Sequence, residues 1–236
     1  MHFTKKMSSF QNLSQVKVVP DFQSLVETPF KGNTNALCWE RTLDGDFEEI
    51  VHQLVLEDDI TEVSVEMLTS LKLTEKGNQA REIILRDMQL LADFGAQPSL
   101  NLLKKYERDE ELDFISTDVY SYHVDRSPIA SDTFLCTYFG AASDILPNHQ
   151  AQQSILIPEV RGKLKSLYNG PEEDFEDFLK ENFFDLHYEA LPNAEPINLG
   201  NGHLWRLAID QPFSEVLPCV HRAPQENGNY RLLLIC

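Results

Sequence analysis

A chain of 236 residues holds one large domain or two small ones, and 42% hydrophobic with 25% charged residues is the balance of a globular protein, not a disordered one. A formal charge of −18 argues against a nucleic-acid partner, because affinity for a phosphate backbone comes mainly from lysine and arginine. No stretch approaches the ~18–20 apolar residues that cross a bilayer, and Cys38, Cys136, Cys219 and Cys236 lack C-x-x-C spacing, as expected of reduced thiols in a cytoplasmic protein.

The N-terminal "MHFTKKMSSFQNLSQ" has two lysines with no apolar run behind them, so no secretory signal is expected. Residues 1 to 35 read as polar, Pro/Gly-punctuated chain wrapping the surface. "TNALCWERTL" reads as a short strand or extended segment. Asp44 or Asp46 caps a helix over "FEEIVHQLVLE", where Phe47, Ile50, Val51 and Leu54 recur at helical spacing. The helical signal continues from "SVEMLTSL" as far as "NLLKKYE". It carries an apolar stripe (Ile83, Ile84, Met88, Leu91, Phe94), a C-cap at Gly95 and a stop at Pro98. Residues 1–112 are thus expected to be a mainly helical part packing on the rest of a single domain, 1–236.

After residue 113 the character changes. "FISTDVYSYHVD" and "SDTFLCTYFG" are rich in β-branched and aromatic residues, as strands are, and "ILIPEVRGKL" reads as a further strand. A helical insertion is expected over about 171–184, with Phe175, Phe178, Leu179 and Phe183 on one side. Two hairpins are expected, one turning at Gly200-Asn201-Gly202 and one around Asn227-Gly228-Asn229. The outline is α+β: helices first, then a β half with one helical insertion.

Within the first of these strands, His123 and Asp125 stand two positions apart and share a face. They offer an imidazole and a carboxylate side by side, as two ligands of one metal ion. The triplet alone is cheap, since the chain has seven histidines and 38 acids and offers a rival at His187 and Glu189. His221, near the end of the chain, is the candidate third ligand. Two histidines and a carboxylate form the facial triad of non-haem Fe(II), with open positions for a co-substrate and O₂. A three-residue loop in the last hairpin turns Arg231 to the face of His221, ~13 Å away at ~3.4 Å per residue; a two-residue loop turns it to the other face. Facing inward, its guanidinium suits a dicarboxylate whose other end chelates the metal.

This H-x-D, distant H and R ten residues later resembles the 2-oxoglutarate/Fe(II)-dependent oxygenases, matched by His123, Asp125, His221 and Arg231. The interval from His123 to His221 is ordinary for that superfamily; the one from His187 is short. "YHVDRSPIASDTFLCTYFGAASDIL" and "VHRAP…YRLLL" are further similar to a bacterial family described only as a domain of unknown function. Phe139 and the run Ala141-Ala142-Ser143-Asp144 depart from its pattern, so substrate contacts in that loop are expected to differ. The resemblance implies a double-stranded β-helix (jelly-roll, cupin-like) core with an N-terminal helical layer and an inserted helix. It implies Fe(II) on His123, Asp125 and His221, and 2-oxoglutarate as co-substrate with its far carboxylate on Arg231. It implies a hydroxylation using O₂, with release of succinate and CO₂. In related halogenases a small residue replaces the carboxylate, so Asp125 implies oxygen insertion. By the same resemblance Tyr138 is a candidate hydrogen-bond donor to the 2-oxoglutarate carboxylate, or else a buried structural tyrosine.

Arg126 and Arg222 stand beside ligands and are candidate anchors for an anionic substrate group, or equally ion-pair partners of the many acids. Trp205 is core or pocket wall. The negative charge favours a cationic or neutral small-molecule substrate, an amino acid among them, and no membrane partner. Cys219 and His221 share a face, but nothing supplies the third group of a nucleophilic triad. The alternatives are a cupin-like metal enzyme without 2-oxoglutarate, for which Arg231 is dispensable, and a non-catalytic jelly-roll binding or sensor protein.

Overall fold

The computed structural model describes residue 10 and residues 13–236, so the expectation of no secretory signal falls mainly outside the described residues. The strands are β1 (Val16–Val19), β2 (Ala36–Trp39), β3 (Ile60–Glu62), β4 (Ser99–Leu103), β5 (Tyr122–His123), β6 (Asp132–Phe139), β7 (Asp144–Ile145), β8 (Ala151–Gln153), β9 (His187–Ala190), β10 (Ile197–Asn198), β11 (Leu204–Ala208), β12 (His221–Arg222) and β13 (Arg231–Ile235). The helices are α1 (Phe22–Glu27), α2 (Phe47–Gln53), α3 (Val65–Ser70), α4 (Glu75–Phe94), α5 (Pro158–Leu167) and α6 (Phe175–Glu181). No helix among the described residues is long and apolar enough to cross a membrane.

Two antiparallel-rich sheets result. One has seven strands in the order β1-β2-β11-β6-β13-β4-β3, and the other six in the order β10-β7-β12-β5-β9-β8. From β4 to β7 successive strands alternate between the sheets, and they do so again from β10 to β13. The architecture is mixed α/β, in keeping with a β-sandwich or jelly-roll. Strand alternation gives the large sheet two different faces. Phe134, Cys136, Tyr138, Leu232 and Leu234 pack on Ile50, Leu68, Ile84 and Leu91 of the helical layer. Leu135, Leu233, Trp205 and Leu207 turn the other way, toward Ile145 of the small sheet and Leu199 and Cys219 beside it.

Local signals place the helix ends. The Asp46 carboxylate accepts from the Glu49 N–H at the start of α2, and the Thr74 hydroxyl accepts from the Gly77 N–H at the start of α4. Gly95, with φ 99°, closes α4 in the left-handed conformation. Beyond Pro98 the chain is strand: "SLNLL" is β4, not a continuation of helix. Among the described residues up to 112, four strands join the large sheet beside four helices, so this part is not mainly helical.

Three further expectations are corrected. "ILIPEVRGKL" is a 3₁₀ turn followed by α5, because Pro158 at the first helical turn has a preset φ and no N–H for a sheet ladder. The insertion at 171–184 is helical as expected, with Phe175 and Leu179 buried; Phe183, however, is exposed at φ 59°. Neither expected hairpin forms. β10 and β12 belong to the small sheet while β11 and β13 belong to the large one, so both Gly/Asn turns are corners between sheets. Gly200, Gly202 and Gly228, all at positive φ, re-aim the chain. Which sheet the next strand joins depends on where its apolar face is buried.

Candidate metal centre

β5 and β12 are neighbours in the small sheet, with His221 directly opposite His123. Directly opposed residues share a face, so both imidazoles point into the space between the sheets, their ring centroids 4.6 Å apart. Asp125, two residues beyond His123, completes the group. Its carboxylate oxygens lie 3.9 Å from His123 Nε2 and 3.6 Å from His221 Nε2. One ligand atom from each of the three residues lies within 4.8 Å of the others. A single ion fits among them.

The surroundings prepare each ligand. His123 Nδ1 donates to the Ser121 carbonyl at 2.8 Å, and His221 Nδ1 donates to the Cys219 carbonyl at 3.2 Å. Both bonds fix the tautomer that leaves Nε2 with its lone pair toward the metal position. Burial, then the neighbouring His221, pulls His123 down to about 4, so its imidazole is neutral and ready to ligate. Burial works against the Asp125 carboxylate; His221, a hydrogen bond from the Thr133 hydroxyl and His123 outweigh it and hold the group below the usual carboxylate range.

Arg231 reaches the same cavity by a route other than a hairpin. It opens β13 in the facing sheet, and the two sheets enclose a cavity of about 140 Å³ between Arg231 and the triad. Tyr106, Val119, Leu135, Ser143, Ala223, Leu233 and Ile235 complete the lining. Gly140, at φ 86°, lets β6 turn beside this strand; a Cβ there would lie 2.4 Å from the Tyr230 carbonyl oxygen.

The Arg231 side chain is 4% exposed, and burial lowers the guanidinium from its ordinary value. Its Nη2 donates to the hydroxyls of Thr137 (3.1 Å) and Ser143 (2.9 Å), while Nε has no hydrogen-bond partner. No carboxylate among the described residues pairs with it. The other well-buried arginines, Arg41 and Arg206, each pair with an aspartate.

No protein-family model, no curated protein and no solved structure matches the chain.

Four candidates lie elsewhere. Tyr138 points into the helical layer, where its hydroxyl donates to Asp87 at 2.7 Å and its ring stacks on Phe47. It is the extra residue of an irregularity in the β6–β13 register, and strand alternation sets it on the face opposite Thr137. Arg126 is held by Asp185 and Asp210. Arg222 faces away from the cavity, paired with Asp144 and lying 4.4 Å above the Tyr122 ring. Trp205 is fully buried core, its indole N–H donating to the Leu199 carbonyl at 2.9 Å. In the rival triplet, His187 is buried but Glu189 is exposed, so the pair makes no site together. Burial also raises the Cys219 thiol, which fits no nucleophile.

The cavity adds Ser143 and Tyr106, and Arg231 adds its hydrogen-bond partner Thr137, none of which sequence reading assigned. Ser143 lies in the run that departs from the resembled family. Thr137 is one residue from the tyrosine singled out, and only the sheet's alternation decides between the two.

Proposed function

We propose that the chain is a 2-oxoglutarate- and Fe(II)-dependent oxygenase that hydroxylates a small molecule on a double-stranded β-helix core. The observation that carries this reading is Arg231. An isolated guanidinium loses several kcal/mol of hydration when buried, and a chain with 38 acids provides it with none. A carboxylate ligand supplies the missing counter-charge through N–H groups that the two hydroxyls leave unused. The metal triad across the cavity receives the other end of such a ligand, so a dicarboxylate with a chelating keto acid meets both requirements. The alternation of strands β4–β7 and β10–β13 between two sheets supports the core assignment.

In this reading His123, His221 and Asp125 hold Fe(II), which supplies the chemistry with O₂. One oxygen atom ends in the carboxylate of succinate and the other in the substrate hydroxyl, with CO₂ released. Arg231, steadied by Thr137 and Ser143, anchors the far carboxylate in place of Tyr138, and Tyr106 lies beside it. Val119, Leu135, Ala223, Leu233 and Ile235 exclude water from the reacting groups.

Anaerobic titration of the Fe(II) protein with 2-oxoglutarate tests this. A weak visible charge-transfer band is expected to appear and saturate. Arg231→Ala is expected to raise the 2-oxoglutarate dissociation constant about a hundredfold while Fe(II) stoichiometry stays at one. A wild-type protein that develops no band, or an Arg231→Ala protein with unchanged affinity, sinks the reading.

A further inference from the structure

Strand β6 turns a hydroxyl toward each half of the site. Phe134, Cys136 and Tyr138 face the helical layer, so Thr133, Leu135 and Thr137 face the space between the sheets. Thr137 serves Arg231. Thr133, four residues and ~13 Å earlier along the strand, donates its hydroxyl proton to Asp125 Oδ2.

Thr133 is a donor of fixed direction. It lies directly opposite Leu207 of β11 in the middle of the large sheet and is 8% exposed. Its branched Cβ restricts χ1, so the strand backbone sets where the hydroxyl points.

The Asp125 carboxylate has no such fixed direction of its own. The Asp125 carbonyl accepts from the Asp210 N–H at 2.8 Å, which pins the backbone. The terminal torsion of an aspartate is nevertheless broad. Among the described residues, Thr133 is the one group that donates a hydrogen bond to this carboxylate; His221 Nε2 and His123 Nε2 stand 3.6 and 3.9 Å from it. With the Thr133 proton on Oδ2, Oδ1 keeps its lone pairs free for a metal ion.

The number of carboxylate oxygens on the ion decides what else it can hold. Two imidazoles and a single carboxylate oxygen leave one face of an octahedral ion open. A carboxylate that ligates through both oxygens closes part of that face. A chelating keto acid then takes what is left, and the position closed is the one O₂ needs.

Resting on the metal-centre and oxygenase readings above, we infer that Thr133 is a positioning residue that holds Asp125 to ligation through one oxygen and so keeps the O₂ position open. It acts through Asp125 and touches no substrate. Without its hydroxyl the protein still binds the metal ion and 2-oxoglutarate, and what it loses is access for O₂.

The test counts water on the bound ion. The protein is loaded with Mn(II), and its EPR lines are read in H₂¹⁷O, where each directly bound water broadens them. Thr133→Val keeps the side-chain shape without the donor and is expected to show one bound water fewer than wild type. Thr133→Ser keeps the donor and is expected to match wild type. In the Fe(II) protein, Thr133→Val is expected to leave the 2-oxoglutarate dissociation constant unchanged, read from the charge-transfer band. Its kcat for succinate release is expected to fall about tenfold to a hundredfold and to recover in Thr133→Ser. Equal water counts in wild type and Thr133→Val, loss of the water in Thr133→Ser, or an unchanged kcat in Thr133→Val overturns the proposal. Failure of the oxygenase reading is told apart, because wild-type protein then shows neither the 2-oxoglutarate band nor succinate, while the Mn(II) arm still reads Thr133.

Discussion

Strand β6 serves two interiors, and they treat buried charge in opposite ways. On the helical side Arg41 pairs with Asp87 at 2.7 Å, donates to the Gly202 carbonyl and lies 4.5 Å above the Trp39 ring, while Tyr138 completes the aspartate. On the side between the sheets Arg231 has two hydroxyls and an unpartnered Nε. The first arrangement gives each charged group its counter-charge and ties α4 to the sheet. The second leaves a cation incomplete inside a cavity opposite three metal-type ligands. A buried charge with its partner present belongs to the fold; one without its partner is set for something that comes from outside.

The largest effects should come from reversing these roles. Asp87→Ala strands Arg41 and Tyr138 and should cost about 3–5 kcal/mol in urea denaturation. Arg231→Met removes a charge that the fold does not pair, and should leave stability within ~1 kcal/mol or raise it. Equal losses in the two variants would break the comparison. Next in size, the Zn(II) protein with 2-oxoglutarate at a hundred times its dissociation constant should gain about 2.7 kcal/mol. That gain should vanish in Arg231→Met, as read by the melting curve. The smallest effect belongs to Arg222, whose pair with Asp144 is partly exposed on the outer face. Arg222→Ala should cost ~0–1 kcal/mol and leave 2-oxoglutarate affinity as it was; an altered affinity would place this residue's influence at the site after all.

Much of the fold was legible locally. Asp46 and the stop at Gly95 and Pro98 read correctly because capping and helix termination involve neighbours within one turn. β2 and β6 were readable from their composition. The misread segments share a cause. "ILIPEVRGKL" has the apolar run of a strand, and its fate was decided by Pro158 and by packing of Ile155 and Leu164 on Phe175 and Leu179. "SLNLL" looked helical because Leu100, Leu102 and Leu103 suit either period over so few residues, and pairing with Arg231–Ile235 made it a strand.

The sequence by itself determined the ligand chemistry: an imidazole and a carboxylate at i and i+2, a distant histidine, and an arginine ten residues after it. Those are local spacings, and the backbone's period of two turns them into a shared face without further help. Only the tertiary structure decided which faces meet. It made corners of the two expected hairpins and brought Arg231 to the triad across the gap between sheets. It turned Thr137 inward and Tyr138 outward, and set His187 beside His123 while Glu189 stayed in water. Sheet membership and register depend on which apolar surfaces bury one another across more than a hundred residues of chain. No short window of sequence contains that term.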